Sequence, residues 1–245
     1  MAKLQDLFTQ ARRTQSGGGM GFLGKGKTEG KAHAAALVVE FAQISAGSAE
    51  AALKAGADGL LFAWDARDSA SLETLKSEID SARASNQQLV CGLHITGGWD
   101  KLDPHSFTQL KEQGVQYVIL PFNAPARLLA LEEKEMEKVV TVPLRKEDLY
   151  PIFIRNLTAL DGVSGVLLDF DVSNEFATMT IEDILQYRAI REAVRFPAFL
   201  YVEGDINEGA AYTLNTLGVQ AVILKANADD ETTRQQIKTL RGLLE

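Results

Sequence analysis

Short apolar runs rich in Val, Ile and Leu recur along the chain and alternate with helical patterns. Four of these runs lie in segments whose second residue is glycine: "AGADGLLF" (55–62), "QGVQYVIL" (113–120), "DGVSGVLL" (161–168) and "LGVQAVIL" (217–224). Each glycine stands just past a helical pattern, where a left-handed residue closes the last turn of a helix. The apolar residues that follow are typical of a parallel strand that is buried on both faces.

Four further apolar runs lie at positions 34–42, 89–95, 139–144 and 196–203. The pattern therefore predicts eight strands that alternate with eight helices, and hence a parallel sheet. Eight such units in roughly 210 residues favour a closed (β/α)₈ TIM barrel over the doubly wound open sheet, which also alternates. We predict one α/β domain over residues 1–245, with an N-terminal extension at 1–33 and the barrel at 34–245.

The predicted extension consists of a helix and a glycine-rich connector, and it contains a string that matches the phosphate-binding P-loop. Residues 21–28, "GFLGKGKT", fit G-x-x-x-x-G-K-[ST]. A P-loop needs a strand before the glycines and a helix after them, so that backbone N–H groups hold the phosphates. Here the predicted order is reversed. We interpret residues 16–31 as a flexible connector; the alternative, in which its lysines attract an anion, requires the segment to cross the barrel.

Composition narrows the classes of function. The 245 residues carry a net charge of −8, which disfavours general binding to nucleic acid or to anionic membranes. Cys91 is the one cysteine, so no disulfide can form within the chain, and a reducing cytoplasm is the expected compartment. No apolar run approaches the ~20 residues of a membrane span, and the start has no signal-peptide pattern. Association into a homo-oligomer stays open.

Polar residues stand near the carboxyl ends of the predicted strands, where barrel enzymes carry their chemistry. Glu40 shares the parity of Val38, and Lys225 that of Ile223, so both are expected to face the barrel interior. The candidate catalytic residues are Lys225, Glu40, Glu203 and Asp169. The candidate substrate-binding residues are His94, Arg145, Asn123, Asp65 and Asp171.

Two chemistries fit these residues. In the first, Lys225 lies near Glu40 and Glu203 and acts as a Schiff-base nucleophile or as an electrophile toward an oxyanion, while a carboxylate moves protons. In the second, the five acidic residues bind Mg²⁺, which prefers oxygen ligands. A spaced His/Cys cluster for zinc is missing from the sequence. Each residue also has a structural interpretation: Lys225 and Glu40 as an ion pair between neighbouring strands, and His94 as a hydrogen-bonded structural histidine.

The closing stretch "YVEGDINEGAAYTLNTLGVQAVILKANADD" (201–230) and the segment "SAEAALKAGADGLLF" (48–62) resemble the ribulose-phosphate-binding barrel superfamily. That resemblance implies a phosphate held by glycines after the seventh and eighth strands. Only Gly204 matches the first glycine pair, with Asp205 in the partner's place, and Asp229 and Asp230 follow the eighth strand instead of a glycine. Two acids at a helix N-terminus would repel a phosphate. The resemblance therefore implies architecture rather than activity.

These observations predict a barrel enzyme of lyase or isomerase type. Its ligand would be a small carbonyl or carboxylate compound. We expect no nucleic acid or membrane partner, and Mg²⁺ would be the cofactor in the second of the two chemistries. The alternative is a non-catalytic barrel that serves as a binding or assembly subunit, with the N-terminal segment at the interface.

Overall fold

In the computed structural model, eight parallel strands close into a barrel, in which each strand pairs with the next and the last pairs with the first. The structure describes residues 3–13, 35–131, 136–145, 147–169, 179–202, 208–227 and 230–244. The strands are β1 (Ala36–Phe41), β2 (Gly59–Asp65), β3 (Val90–Gly97), β4 (Tyr117–Leu120), β5 (Glu137–Pro143), β6 (Val163–Asp169), β7 (Ala198–Val202) and β8 (Ala221–Lys225). The predicted TIM barrel is confirmed.

One helix precedes the barrel and the others lie on its outside. The helices are α1 (Leu4–Arg13), α2 (Ser48–Ala55), α3 (Ser71–Ser85), α4 (Pro104–Glu112), α5 (Tyr150–Arg155), α6 (Ile181–Val194), α7 (Glu208–Leu217) and α8 (Asp230–Leu244). Glycines 56, 114, 162 and 218 have positive φ angles, as expected for residues that close the turns before strands. Within the described ranges, no helix has both the length and the apolar character needed to span a membrane.

The crossover from β4 to β5 differs from the predicted pattern. Its described residues form one 3₁₀ turn, Ala126–Leu128, where the alternating pattern predicts an α-helix. The ammonium group of Lys138 donates hydrogen bonds to the carbonyl oxygens of Leu129 and Leu131, at 3.1 and 2.7 Å. These carbonyl groups are thus engaged by a side chain of β5, and the expectation of an α-helix between β4 and β5 is wrong for the residues that are described.

Helix α1 closes the amino end of the barrel. Leu4, Leu7 and Phe8 are buried and pack with the inward-facing residues of the strands. The backbone N–H of Leu4 donates to a carboxylate oxygen of Glu137, at the start of β5, over 2.5 Å. This contact supplies an acceptor for one of the N–H groups that a helix leaves unpaired at its first turn. The helix of the N-terminal extension is therefore part of the barrel core.

The order of elements around the glycine-rich segment is the predicted one. Helix α1 precedes it and strand β1 follows it, which is the reverse of a P-loop. Residues 14–34, which include the P-loop-like string and the connector at 16–31, lie outside the described residues.

An ion pair joins the last helix to the first two strands. The guanidinium group of Arg241 in α8 lies 2.7 Å from the carboxylate of Asp58, whose other oxygen accepts the backbone N–H of Leu37 at 2.8 Å. Arg241 also donates to the carbonyl oxygen of Gly56. The two charged side chains are only 15% and 18% exposed, so the pair is shielded from bulk water. It fixes α8 against the turn that enters β2.

Candidate functional site

Four inward-facing residues from alternate strands lie at one level near the carboxyl end of the barrel. The tilt of an eight-stranded barrel advances the level by one residue per strand. When each step to the next strand moves one residue toward the carboxyl end, the register pairs connect Glu40 with His94, Thr141 and Tyr201 in turn and then return to Glu40. We call these four residues the polar layer. The level below it is aliphatic and consists of Leu61, Ile119, Leu167 and Ile223.

A hydrogen-bonded pair between Glu40 and His94 is the centre of the polar layer. Nδ1 of His94 lies 2.7 Å from a carboxylate oxygen of Glu40, and the two side chains are 23% and 7% exposed. An ionised carboxylate only accepts hydrogen bonds, so the contact places a proton on Nδ1 and leaves Nε2 of the neutral ring as the basic nitrogen. This arrangement suits a group that takes up and releases protons.

Tyr201 completes the hydrogen-bonded group. Its hydroxyl lies 3.2 Å from Nδ1 of His94 and also hydrogen-bonds with the carboxylate of Glu40. Burial raises the pKa of Tyr201 well above its usual value, and the negative charge of Glu40 raises it further. The phenol therefore stays protonated and acts as a hydrogen-bond donor beside the pair.

Thr141 is the fourth member of the polar layer and differs from the others. Its side chain is buried, and its hydroxyl oxygen has no hydrogen-bond partner among the residues that the structure describes. Sequence reasoning missed Thr141 and left Tyr201 outside the candidate set. The usable signal was a polar residue at an inward position of an otherwise apolar strand, "VVTVPL".

The level above the polar layer forms the rim of the mouth, supplied by the even-numbered strands. It carries two charged residues, Asp169 and Lys225, both exposed. The ammonium group of Lys225 lies 4.7 Å from the ring centroid of Tyr201, a cation–π contact. Although Glu40 and Lys225 are register partners, the described partners of the Glu40 carboxylate are His94 and Tyr201. The described contacts of Glu40 therefore differ from the ion pair with Lys225 that was one structural interpretation of these residues.

Two further candidates that the structure describes, Arg145 and Asn123, lie outside the polar layer. Arg145 is exposed and lies 5.6 Å from the ring centroid of Tyr150, against α5. Asn123 is exposed in the turn after β4. Residues 171 and 203, which include two of the predicted acids, Asp171 and Glu203, lie outside the described residues.

Asp65, at the end of β2, is held by its own turn. Its carboxylate accepts hydrogen bonds from the guanidinium and the backbone N–H of Arg67, at 2.5 to 2.9 Å. The side-chain hydrogen bond from Arg67, followed by the backbone one, lowers the pKa of Asp65 to about 2. The carboxylate is thus ionised over the whole range in which the protein would act, and it serves the turn.

The metal hypothesis depended on five carboxylates converging on one point. Of the three that are described, Glu40 is bound to His94, Asp65 is bound to Arg67, and Asp169 lies at the rim. The described part of the chain contains no group of three His, Cys, Asp or Glu side chains placed to hold a metal ion. The described carboxylates therefore do not form a ligand set for Mg²⁺.

No family model and no curated protein matches the chain. Solved structures match it in fold. Tryptophan synthase from M. tuberculosis, in its ligand-free form, has a TM-score of 0.67 at 12% identity over 100% of this chain and 99% of its own. The YdjI aldolase from Escherichia coli K12 has a TM-score of 0.62 at 10% identity, covering 99% and 96%. Phosphoribosyl anthranilate isomerase from Thermus thermophilus has a TM-score of 0.59 at 13% identity, covering 85% and 98%.

At these identities the likeness shows the fold and nothing finer. The (β/α)₈ barrel that the resemblance implied is confirmed as the fold of this chain.

Proposed function

We propose that this barrel is an enzyme that moves a proton at a carbon beside a carbonyl group, as a lyase or an isomerase acting on a small carbonyl or carboxylate compound. The observation that carries the proposal is the Glu40–His94 pair, joined over 2.7 Å in the polar layer. Barrel enzymes carry their chemistry at this end of the strands.

His94 is the proton-transfer group in this proposal. Its Nε2 takes a proton from the substrate carbon, and Glu40 holds the ring in the required tautomer and stabilises the imidazolium that forms. The hydroxyl of Tyr201 donates beside them and holds the carboxylate in place. General base catalysis of this kind contributes a rate factor of about 10²–10⁴.

Lys225 supplies positive charge at the rim. Its contact with the Tyr201 ring is the one expected of an ammonium ion, so we assign it an electrostatic role toward a carboxylate or an enolate oxygen. Asp169 faces the same opening and is the second group able to exchange a proton with a bound compound. Glu203 has the same strand parity as Tyr201 and remains a candidate on that ground.

The solved structures of similar fold give general support. Their names include an isomerase and an aldolase, so enzymes of both kinds occur on this fold. At 10–13% identity the likeness concerns the fold alone, and it supports the proposal only at this coarse level.

The proposal is tested by hydrogen exchange into the substrate. The protein is incubated in D₂O with dihydroxyacetone, glycolaldehyde, pyruvate and 2-oxobutyrate, and NMR follows deuterium incorporation at the carbon beside the carbonyl. We expect exchange above the uncatalysed rate with at least one compound, reduced about 10²–10⁴-fold in His94→Gln. His105→Gln is the matched control, because His105 lies on the exposed surface of α4, where its ring hydrogen-bonds with Gln109.

Exchange that survives in His94→Gln at the wild-type rate would overturn the assigned role, and a folded wild-type protein that exchanges none of the four compounds would overturn the proposed reaction class. Borohydride reduction with the same compounds separates the Schiff-base version. Covalent labelling of Lys225 would replace the electrostatic role with a covalent one.

A second candidate function, that of an assembly subunit, is favoured by apolar side chains exposed on α5, α6 and the turn before α5. They are Leu149, Ile152, Phe153, Ile181 and Leu185. Exposed apolar clusters of this kind mark interaction surfaces. A stable oligomer that Phe153→Glu dissociates, together with the absence of hydrogen exchange, would favour this function over the enzymatic one.

A further inference from the structure

We propose that Thr141 binds an oxygen atom of the substrate and so selects compounds with a carbonyl or carboxylate oxygen next to the proton-transfer group. This inference rests on the proposed function, because it gives the Glu40–His94 pair its reacting partner.

The first step is the state of the Thr141 hydroxyl. The side chain is only 9% exposed, and its oxygen has no partner among the described residues. Buried hydroxyl groups in proteins are nearly always hydrogen-bonded, and leaving one unpaired is unfavourable. Buried threonines elsewhere in the chain follow that rule: the hydroxyl of Thr213 donates to the carbonyl oxygen of Gly209 at 3.2 Å, and that of Thr233 accepts the N–H of Asn227 at 2.9 Å. Among the buried threonines that the structure describes, Thr141 is therefore the exception, and the buried hydroxyl of Tyr117, lower in the barrel, also lacks a described partner.

The second step is the position of Thr141. Strands β1 and β5 lie four strands apart in the eight-stranded barrel and so face each other across its interior. Glu40, His94 and Tyr201 are joined by hydrogen bonds to one another, whereas Thr141 lies at the same level opposite Glu40 and outside that group. A compound that enters from the mouth and reaches His94 thus meets Thr141 on its other side.

The third step is the chemistry of the ligand. A threonine hydroxyl donates one hydrogen bond and rotates to reach an acceptor. The polar layer already contains the negative charge of Glu40, and the rim contains the positive charge of Lys225. A compound with an oxygen acceptor suits Thr141, His94 and Lys225 together. Its oxygen would accept a hydrogen bond from Thr141, and the adjacent carbon would lie toward His94. A carboxylate group on the same compound would extend toward the ammonium group of Lys225. A ketone, a simple carboxylate and a 2-oxo acid share this chemistry.

Substitution of Thr141 gives a test in which stability and binding change in opposite directions. Thr141→Val keeps the shape and removes the unpaired hydroxyl, so we expect the unfolding midpoint of the ligand-free protein to rise by about 2–4 °C. Thr213→Val is the matched control: it removes a paired buried hydroxyl, and its midpoint is expected to fall.

Binding is measured through the methyl group of Thr141 itself. In protein labelled with ¹³C at threonine methyls, the signal absent from Thr141→Val identifies this residue. Acetate, dihydroxyacetone and pyruvate are titrated in turn, which separates carboxylate, ketone and 2-oxo acid binding. We expect a saturable shift of this methyl signal with at least one probe in the wild-type protein. The Kd of each variant is measured from the line width of the probe's own NMR signals, and it should weaken at least about tenfold in Thr141→Val and stay near the wild-type value in Thr141→Ser and Thr213→Val.

The outcomes distinguish this inference from the proposed function. Unchanged probe binding in Thr141→Val, or a Thr141 methyl that responds to none of the three probes, would overturn the inference and leave a structural water as the partner of the hydroxyl. If probes bind through Thr141 but wild-type protein catalyses no hydrogen exchange, the substrate-binding role stands and the proposed reaction fails. If exchange occurs and Thr141→Val leaves its KM unchanged, the reaction stands and the role of Thr141 fails.

Discussion

The phenol ring of Tyr117 occupies the space that a side chain at Gly92 would need. A β-carbon built on Gly92 would lie 2.2 Å from Cζ of Tyr117, its register partner in the neighbouring strand. The ring is fully buried and stacks on Phe199 with the centroids 5.7 Å apart. The absence of a side chain at position 92 thus allows one large aromatic residue to fill the barrel below the polar layer.

Gly92→Ala should therefore destabilise the protein. The added methyl group must displace the Tyr117 ring within a closely packed interior, so we expect a loss of about 3 kcal/mol in the free energy of unfolding. Urea unfolding measures it. Gly242→Ala is the control of opposite sign, because a β-carbon there meets no atom within 4 Å in the exposed part of α8, and helix propensity predicts a gain of about 0.5–1 kcal/mol. Equal stability of Gly92→Ala and the wild type would contradict the packing described.

Alkaline pH should destabilise the protein through its buried tyrosines. Burial raises the pKa values of Tyr117, Tyr150 and Tyr201 above 10.0 in the native state. Above pH 10 the unfolded chain releases phenolic protons that the native protein keeps, so the free energy of unfolding falls as pH rises. Below the unfolded pKa this loss is absent.

The contribution of Tyr201 can be isolated. In Tyr201→Phe the dependence of the free energy of unfolding on pH, measured by urea unfolding between about pH 10 and 11.5, should be shallower by about 1.4 kcal/mol per pH unit. Tyr212→Phe is the matched control, because it removes the hydroxyl group of a tyrosine that is 71% exposed. An unchanged slope in Tyr201→Phe would show that this phenol titrates normally in the folded protein.

The contact between Arg241 and Asp58 should contribute more to stability than the surface ion pairs. Arg241→Ala leaves the shielded carboxylate of Asp58 without its cation, and we expect a loss of about 2–3 kcal/mol in thermal or urea unfolding. Arg234→Ala, on the same helix, removes an exposed pair with Glu231 and should cost less than about 0.5 kcal/mol. Similar losses in the two variants would show that the shielding of Arg241 has no energetic consequence.

The turn after β2 offers a direct measurement of pKa. In Arg67→Ala the pKa of Asp65 should rise from about 2 toward 3.8, because the guanidinium hydrogen bonds are lost. The backbone N–H of residue 67 still donates to the carboxylate, so the pKa should stay below the ordinary value. Carboxyl ¹³C shifts followed against pH report it, and Arg155→Ala, at an exposed site on α5, should leave the value at about 2.

The tautomer of His94 is a test of the polar layer that needs no substrate. In the neutral ring, ¹⁵N shifts should show the proton on Nδ1 and a bare Nε2, because the Glu40 carboxylate accepts from Nδ1. Glu40→Ala removes the acceptor, and the spectrum should change to a mixture of tautomers. A wild-type ring protonated on Nε2 instead would contradict the hydrogen bond on which the proposed reaction depends.

The barrel could be predicted from the sequence because its signals are local. Short apolar runs rich in Val, Ile and Leu, such as that of β8, are typical of buried parallel strands, and the glycines at 56, 114, 162 and 218 mark where helices end. The crossover after β4 could not be predicted, since the side chain that engages its carbonyl groups, Lys138, belongs to the following strand. The insertion of α1 into the barrel end depends likewise on Glu137, 133 residues away.

Strand parity predicted that Glu40 and Lys225 face the barrel interior, but it did not predict their partners. Parity assigns a face, whereas the level of a residue depends on the register of all eight strands. The pairing of Glu40 with His94, rather than with its neighbour Lys225, follows from that register. The last residues of the strands do not indicate Thr141, because the polar layer lies one level below the rim.

The polar layer draws one residue from each of β1, β3, β5 and β7. The four residues extend from position 40 to position 201, so no contiguous half of the chain contains all of them. The distances between them are fixed only when β8 pairs with β1 and the barrel closes. A fragment of half the length, even if it folds stably, therefore cannot contain the complete polar layer. The proposed reaction would therefore require the closed barrel, and an assay of that reaction would also report whether β8 pairs with β1.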